Sequence, residues 1–476
     1  MRARVPLRAP RLVLAASLAA LSAAACKPDA QQKPAETPPT VAVANGGNGT
    51  VTPVPLPTPG FPLDSNTIHR WIHDPAGPDT TQIRSHAWAI WAGLTQLTSQ
   101  VSDSAQLPVY ETWPNVEQVF NPPATAEAVG AARPFTRTLQ VPRQFGHSAV
   151  AAVRARRAAS PEVAANGKEG LPNPGVRSDS ALVMVTVSYN TAAEGHVRSN
   201  RYYLKSTLDS LNAAFNAQKT PLANRNILNF PDSAVALKPT YLPISADGLT
   251  ILPYWAGPLA STDTALPDIN TWTQCVAVDP TGKQVGDSVQ VPCNTLPKVW
   301  AKVVGLDKFY HFRLNAAEAT AFYQGPGSMR VSHGTWIGRD TVRAGDYGVL
   351  VAMHVTTKEI TDWTWQTFWW TPDWQQDPRA KDQPASVQGV FKNYAMNTAY
   401  YMTVPPANTQ NQVAFNPYLE PDLGPQGKLS NCMTCHRAAA WNGTPYVFNG
   451  NLSPSDTLFN GTTKLDFLWS IQATAH

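Results

Sequence analysis

The pentapeptide Cys432-Met433-Thr434-Cys435-His436 constrains this chain more than any other feature, because it ties two thiols and an imidazole into little more than one helical turn. Two cysteines separated by two residues and followed at once by histidine is the arrangement that fixes a c-type haem. Cys432 and Cys435 can form thioethers to the two vinyl groups on one side of the macrocycle. His436 then lies beneath it with a ring nitrogen aimed at the iron, as the proximal axial ligand. Other chemistries also use a CxxC. A thioredoxin-like redox pair follows a strand and opens a helix, whereas Gly424-Pro425-Gln426-Gly427-Lys428-Leu429-Ser430-Asn431 reads as a turn-rich loop. A structural zinc site needs two further ligands at similar spacing; no second CxxC exists, and His476 is the only later histidine. A disulfide between Cys432 and Cys435 leaves His436 without a role. One covalent haem c is therefore the expected cofactor.

The first residues read as an export signal. Arg2, Arg4, Arg8 and Arg11 form a basic region, Leu12 to Leu21 a short apolar core, and Ser22-Ala23-Ala24-Ala25 supplies small residues before Cys26. That apolar run is too short to stay as a membrane span. Cys26 directly after small residues resembles a bacterial lipoprotein processing site, in which residues 1–25 are removed and Cys26 is lipidated. Ala23 stands where leucine is usual, so cleavage at an Ala-x-Ala site stays open. By the same resemblance Lys27 does not read as an inner-membrane retention signal, which points to the outer membrane, facing the periplasm. Residues 26–60 are rich in Pro, Ala, Gln, Thr and Gly, the makeup of a flexible tether. No other stretch is long and apolar enough to span a bilayer.

Charge removes one class of partner. Without the four arginines of the signal, the 37 basic residues fall to 33, level with the 33 acidic ones. A nucleic-acid binder would show a basic surplus; none is expected as a partner here. Charged residues are only 15% of the chain, against 43 prolines and 15 tryptophans, which suits a loop-rich structure around an aromatic core better than a helical bundle.

Two cysteines remain. Cys275 and Cys293 flank two short strand-like runs joined by Pro280-Thr281-Gly282, and a disulfide between them would staple the resulting hairpin in an oxidising compartment. Elsewhere, Ile83, Ala87, Ile90, Trp91 and Leu94 recur at helical spacing after a cap at Asp79 or Thr80. Arg201 to Gln218 and Asn315 to Tyr323 also read as helices, and Ala181 to Tyr189 as a strand. Residues 121–180 read as an irregular insertion. Ala234 to Lys238, Thr250 to Trp255, Gly348 to Thr356 and Trp363 to Trp370 read as further strands, the last two joined by a turn at Ile360-Thr361-Asp362. Trp363, Trp365, Thr367 and Trp369 then share one face, a sheet core or a wall against a flat apolar group. The fold class expected is a mixed, β-rich α+β body over 61–385 with scattered helices, and a small, mostly helical haem c segment over 386–476 packed on it.

The segments His86-Ala87-Trp88-Ala89-Ile90-Trp91, Glu111-Thr112-Trp113, Met353-His354-Val355-Thr356-Thr357-Lys358 and Trp363-Thr364-Trp365-Gln366-Thr367-Phe368, with the late CxxCH, resemble an uncharacterised family of bacterial exported lipoprotein monohaem c-type cytochromes. The resemblance spans most of residues 65 to 476. It implies haem c and electron transfer and brings no substrate.

The second axial ligand separates the function classes. Only forty residues follow His436 and none is methionine, which argues against a free-standing class I cytochrome domain. The haem would pack on the upstream body, with a helix from about Lys464 to Gln472 closing over it. Distal candidates are Met396 and Met402 in the helix-like stretch Val387 to Met402, His354 with Met353, and the terminal His476. Two strong ligands make an electron carrier with a redox partner protein. An open position makes a haem enzyme or gas sensor, where His354 and Lys358 on one strand face could act as acid or base. A β-rich binding protein with a structural haem is the third class. No GxSxG, HExxH or Walker pattern offers a rival catalytic site.

Overall fold

Strand formation in this chain centres on the run Tyr347–Thr357, whose β-branched and apolar residues are buried on both faces along most of its length. The computed structural model describes residues 49–102, 105–122, 128–140, 142, 183–256, 272–284, 286–294, 296–324, 342–400, 414, 416–420, 432–443 and 452–476. These belong to one compact unit, Thr40–His476. The architecture is mixed α+β, with several antiparallel sheets and scattered helices.

The main sheet holds β1 (Met184–Val185), β2 (Ser188–Tyr189), β3 (Val235–Ile244), β4 (His311–Arg313), β5 (Tyr347–Thr357), β6 (Thr364–Trp370) and β7 (Tyr394–Ala399). All its pairings are antiparallel. β3 runs along one edge of β5; β4 and then β6 pair with the other; β7 follows β6, and β1 and β2 both pair with β3. The register puts Lys238, His354, Thr367 and Asn397 in one row across four strands, and Ala236, Thr356, Trp365 and Ala399 in another. These rows lie two residues apart, so they share a face. Pro239, Met353, Phe368 and Met396 form a row on the opposite face.

Helix Thr80–Thr95 covers that opposite face. Asp79 caps it as expected, Gln82 N–H donating to Asp79 Oδ1 at 3.1 Å. Trp91 stacks on Phe368 at 4.3 Å between ring centroids, with Trp88 at 5.5 Å, and both indoles are fully buried. At about 25 cal/mol per Å² over 150–250 Å², each indole contributes about 4–6 kcal/mol of transfer free energy. The first face carries a second core, in which Trp365, Ala236 and Ala399 pack with Met433, Ala438, Ala439, Leu465 and Leu468. The C-terminal segment is thus laid directly on the sheet.

Several expectations change. The Cys275–Cys293 disulfide is formed, with Cα atoms 6.0 Å apart, but it does not staple a hairpin. The strand Leu296–Gly305 inserts between Ser288–Cys293 and Cys275–Asp279, antiparallel to the first and parallel to the second. Asp279 closes the connection instead, accepting from the amides of Thr281 and Gln284 at 2.8 and 2.7 Å. Within Val387 to Met402 no helix forms over the described residues beyond a single 3-10 turn at Gly389–Lys392; Tyr394–Ala399 is the edge strand β7, so the sheet takes in residues of the proposed haem segment. Ala181 to Tyr189 breaks into β1 and β2. The closing helix is shorter than expected, Trp469–Thr474, preceded by the strand Thr463–Lys464. Trp363 lies before β6 at φ 62°, outside the strand's alternation. Among the described residues no helix is long and apolar enough to cross a membrane. The signal, Cys26, residues 27–48 of the tether, most of 121–180 and the loop leading into the CxxCH fall outside the described residues. Residues 49–60, read as the end of the tether, lie on the body instead: Thr50–Val51 pairs with Arg133–Pro134, Val51 is buried, and Thr58 Oγ1 donates to Ala89 O at 3.2 Å.

Candidate haem attachment site

Cys432–His436 forms a single short helical turn, and the chain beyond His436 builds its surroundings. The chain turns at Ala438-Ala439 and pairs Ala440–Trp441 with Thr463–Lys464 in antiparallel register. Leu465 N–H then donates to Ala439 O at 2.9 Å. This pairing brings residues 465–467 back beside the turn, so that Phe467 O lies 2.7 Å from His436 Nδ1.

That contact decides the imidazole's tautomer. A carbonyl oxygen can only accept, so Nδ1 carries the proton and Nε2 is left as the basic nitrogen. A hydrogen bond on the far nitrogen also orients a ligating histidine and raises its donor strength. The ring packs on Trp365 with centroids 4.3 Å apart. Removal from water holds the His436 pKa down to about 3, against the Phe467 hydrogen bond; the nearby His354 and Lys238 side chains push it the same way as burial. His436 is therefore neutral, the form that ligates a metal.

Cys432 and Cys435 are free thiols. Burial raises both, Cys432 well above the ordinary value and Cys435 to about 12, and the Glu420 carboxylate adds to each. A redox CxxC needs the reverse, a thiolate stabilised by nearby positive charge or a helix terminus. Among the described residues no three His, Cys, Asp or Glu side chains converge as a metal cage. Two thiols beside a neutral imidazole with its Nε2 lone pair in hand fit a covalent haem.

The loop that delivers the Phe467 carbonyl is strained and pinned. Asp466 and Phe467 both take left-handed backbone, at φ 46° and 70°, a conformation that costs a residue with a side chain about 1–3 kcal/mol. Two partners of Asp466 offset that cost: Lys358 Nζ at 2.6 Å and the amide of Phe230 at 3.0 Å. Lys358 and Asp466 are both buried. Next to the imidazole, Arg437 donates to Asp362 Oδ2 at 2.6 Å and to Leu452 O at 2.9 Å, tying the CxxCH turn to the connection between β5 and β6.

These contacts correct one pairing. Lys358 follows the end of β5 and joins Asp466, so it does not form a polar pair with His354. His354 sits in the row of Lys238 and Thr367, and its Nε2 lies 2.5 Å from Glu420 Oε1. Met396 and Met353 are buried on the opposite face, against the core under helix Thr80–Thr95. His476 is tied elsewhere: its amide donates to Tyr203 O and its carbonyl accepts from Lys205 N–H, both at 3.0 Å. Met402 lies outside the described residues. Sequence reasoning missed Glu420, Lys238, Asp466 and Phe467. For Lys238 the signal existed, since strand alternation and antiparallel pairing with β5 could place it beside His354; a backbone carbonyl such as that of Phe467 leaves no trace in residue type. No family model, curated protein or solved structure matches the chain.

Proposed function

We propose that this protein is an exported monohaem c-type cytochrome acting in periplasmic electron transfer, with haem joined to Cys432 and Cys435 and His436 as an axial iron ligand. One observation carries the reading: the His436 tautomer is fixed by the Phe467 carbonyl so that Nε2 is the donor nitrogen, beside the two unbridged thiols of the CxxC. Bound there, haem supplies a one-electron couple. The chain's own residues do the rest. Phe467 and the Lys358–Asp466 pair hold the imidazole in orientation, Trp365 packs against it, and Arg437 locks the turn to the sheet. In this reading Cys26 carries a lipid anchor in the outer membrane, the tether gives the body reach in the periplasm, and the partner is another redox protein.

The test is an absorption spectrum of the reduced protein, made in a host with c-type maturation, before and after carbon monoxide. A low-spin spectrum indifferent to carbon monoxide is the result expected of an electron carrier. A spectrum that shifts would replace that role with a haem enzyme or gas sensor, and absence of covalent haem would overturn the reading itself.

A further inference from the structure

We propose that His354 is the second axial ligand of the haem and that Glu420 sets its tautomer; this rests on the haem reading above. The row Lys238, His354, Thr367 and Asn397 lies on the same sheet face as Trp365, and Trp365 packs directly on His436. Cys432 Sγ lies 3.9 Å from Ala414 O, two residues before Asn416, whose amide holds the Glu420 carboxylate. The pentapeptide, His354 and Glu420 thus form one neighbourhood, although 66 residues separate His354 from Glu420 in sequence.

The tautomer follows from the donor and acceptor inventory. Glu420 Oε1 lies 2.5 Å from His354 Nε2, and an ionised carboxylate only accepts, so Nε2 carries a proton. Nδ1 is buried and has no hydrogen-bond partner among the described residues. Were the ring an imidazolium, Nδ1–H would be a buried donor with nothing to receive it, the costly case. As a neutral ring, Nδ1 presents an unclaimed lone pair, which a metal would take. A carboxylate on the opposite nitrogen is the partner that strengthens a ligating imidazole.

Glu420 is itself held for this position. The amide of Asn416 donates to its Oε2, and Asn416 Nδ2 donates to Thr367 Oγ1 at 2.7 Å and to Phe368 O at 3.0 Å. The segment 416–420 is therefore pinned to the row that holds His354. Among the described donors the competitors recede on geometry: Met396 and Met353 occupy the opposite face of the sheet, and His476 is exposed, its main chain bound to Tyr203 and Lys205 and its ring beside that of Tyr203, 6.5 Å between centroids.

The experiment compares purified holoprotein with His354→Ala, His354→Met and Glu420→Gln, reading covalent haem content, visible spectrum, carbon monoxide binding and midpoint potential. Wild type is expected to be six-coordinate and low-spin. His354→Ala keeps its covalent haem, becomes high-spin and binds carbon monoxide, and added imidazole restores the low-spin spectrum. His354→Met stays six-coordinate with an upward shift in potential, because a thioether favours ferrous iron over a second imidazole; it decides the matter should the alanine variant fail to fold. Glu420→Gln shifts the potential upward with haem content unchanged. Covalent haem whose low-spin spectrum survives in both His354 variants with unchanged potential overturns the proposal alone. A chain with no covalent haem overturns the underlying reading as well.

Discussion

At the scale of single residues, the chemistry depends on where two kinds of proton sit. Phe467 O holds one on His436 Nδ1; the other kind belongs to the Cys432 and Cys435 thiols, whose pKa values burial raises. The carbonyl is in place because Lys358 and Asp466 form a buried pair 2.6 Å apart. Lys358→Met leaves the Asp466 carboxylate buried without its cation, and should cost about 3–5 kcal/mol in urea unfolding. Adding Asp466→Asn should recover part of that loss, giving a coupling energy well away from zero in the double-mutant cycle; additive effects would show that the pair does not pin the loop. The CxxCH stands out in the sequence because the proposed haem attachment demands residue types at fixed spacing. Lys358 was legible as a polar residue near the site but was given the wrong partner, since strand alternation was carried past Thr357, where β5 ends. Asp466 and Phe467 act through a side-chain anchor and a main-chain oxygen over a hundred residues from Lys358, and no local pattern encodes that.

At the scale of elements, two helices with an aspartate or asparagine cap matched their sequence signals closely, while Ser65–Ile72 and Thr191–Ser199, capped by Asp64 and Asn190, were not read from the sequence. Thr80–Thr95 starts after Asp79, and Ala316–Gln324 after Asn315, whose side chain accepts from the amides of Ala317 and Glu318. Strand order was not legible. Leu296–Gly305, with alternating Val299, Ala301 and Val303, takes the place that a hairpin partner would have held, because pairing on two edges satisfies more backbone than a hairpin does. The edge strand Tyr394–Ala399 was hidden by residues that suit helix equally well, and pairing with β6 decided it. The Cys275–Cys293 bridge, with a sequence separation of 18, joins the two strands that flank the inserted one. The double variant Cys275→Ala/Cys293→Ala should lose about 3 kcal/mol. Hydrogen exchange should rise first in Cys275–Asp279, Ser288–Cys293 and Leu296–Gly305; protection unchanged there would mean the four-stranded sheet holds without its staple.

At the scale of the whole molecule, the aromatic content sets an alkaline limit. Burial raises Tyr110, Tyr241, Tyr310, Tyr394, Tyr400 and Tyr418 far above the ordinary phenol value. In the unfolded chain these groups titrate near pH 10. Above that pH the folded state binds more protons than the unfolded one, so stability is full below about pH 10 and falls as pH rises past it. An alkaline titration followed by tyrosinate absorbance should show these phenols ionising only with loss of structure. Their titration near pH 10 in the intact fold would contradict the packing described. The same packing carries the C-terminal segment on the sheet face opposite helix Thr80–Thr95, so the site is part of the body's second core and not an appended module. The most direct test of the account is the mass of the peptide spanning Cys432 to His436, taken from full-length protein matured in a host that makes c-type cytochromes. This peptide is expected to gain the mass of one haem, through both sulfurs. Finding the two cysteines as free thiols, or joined to each other, would contradict it.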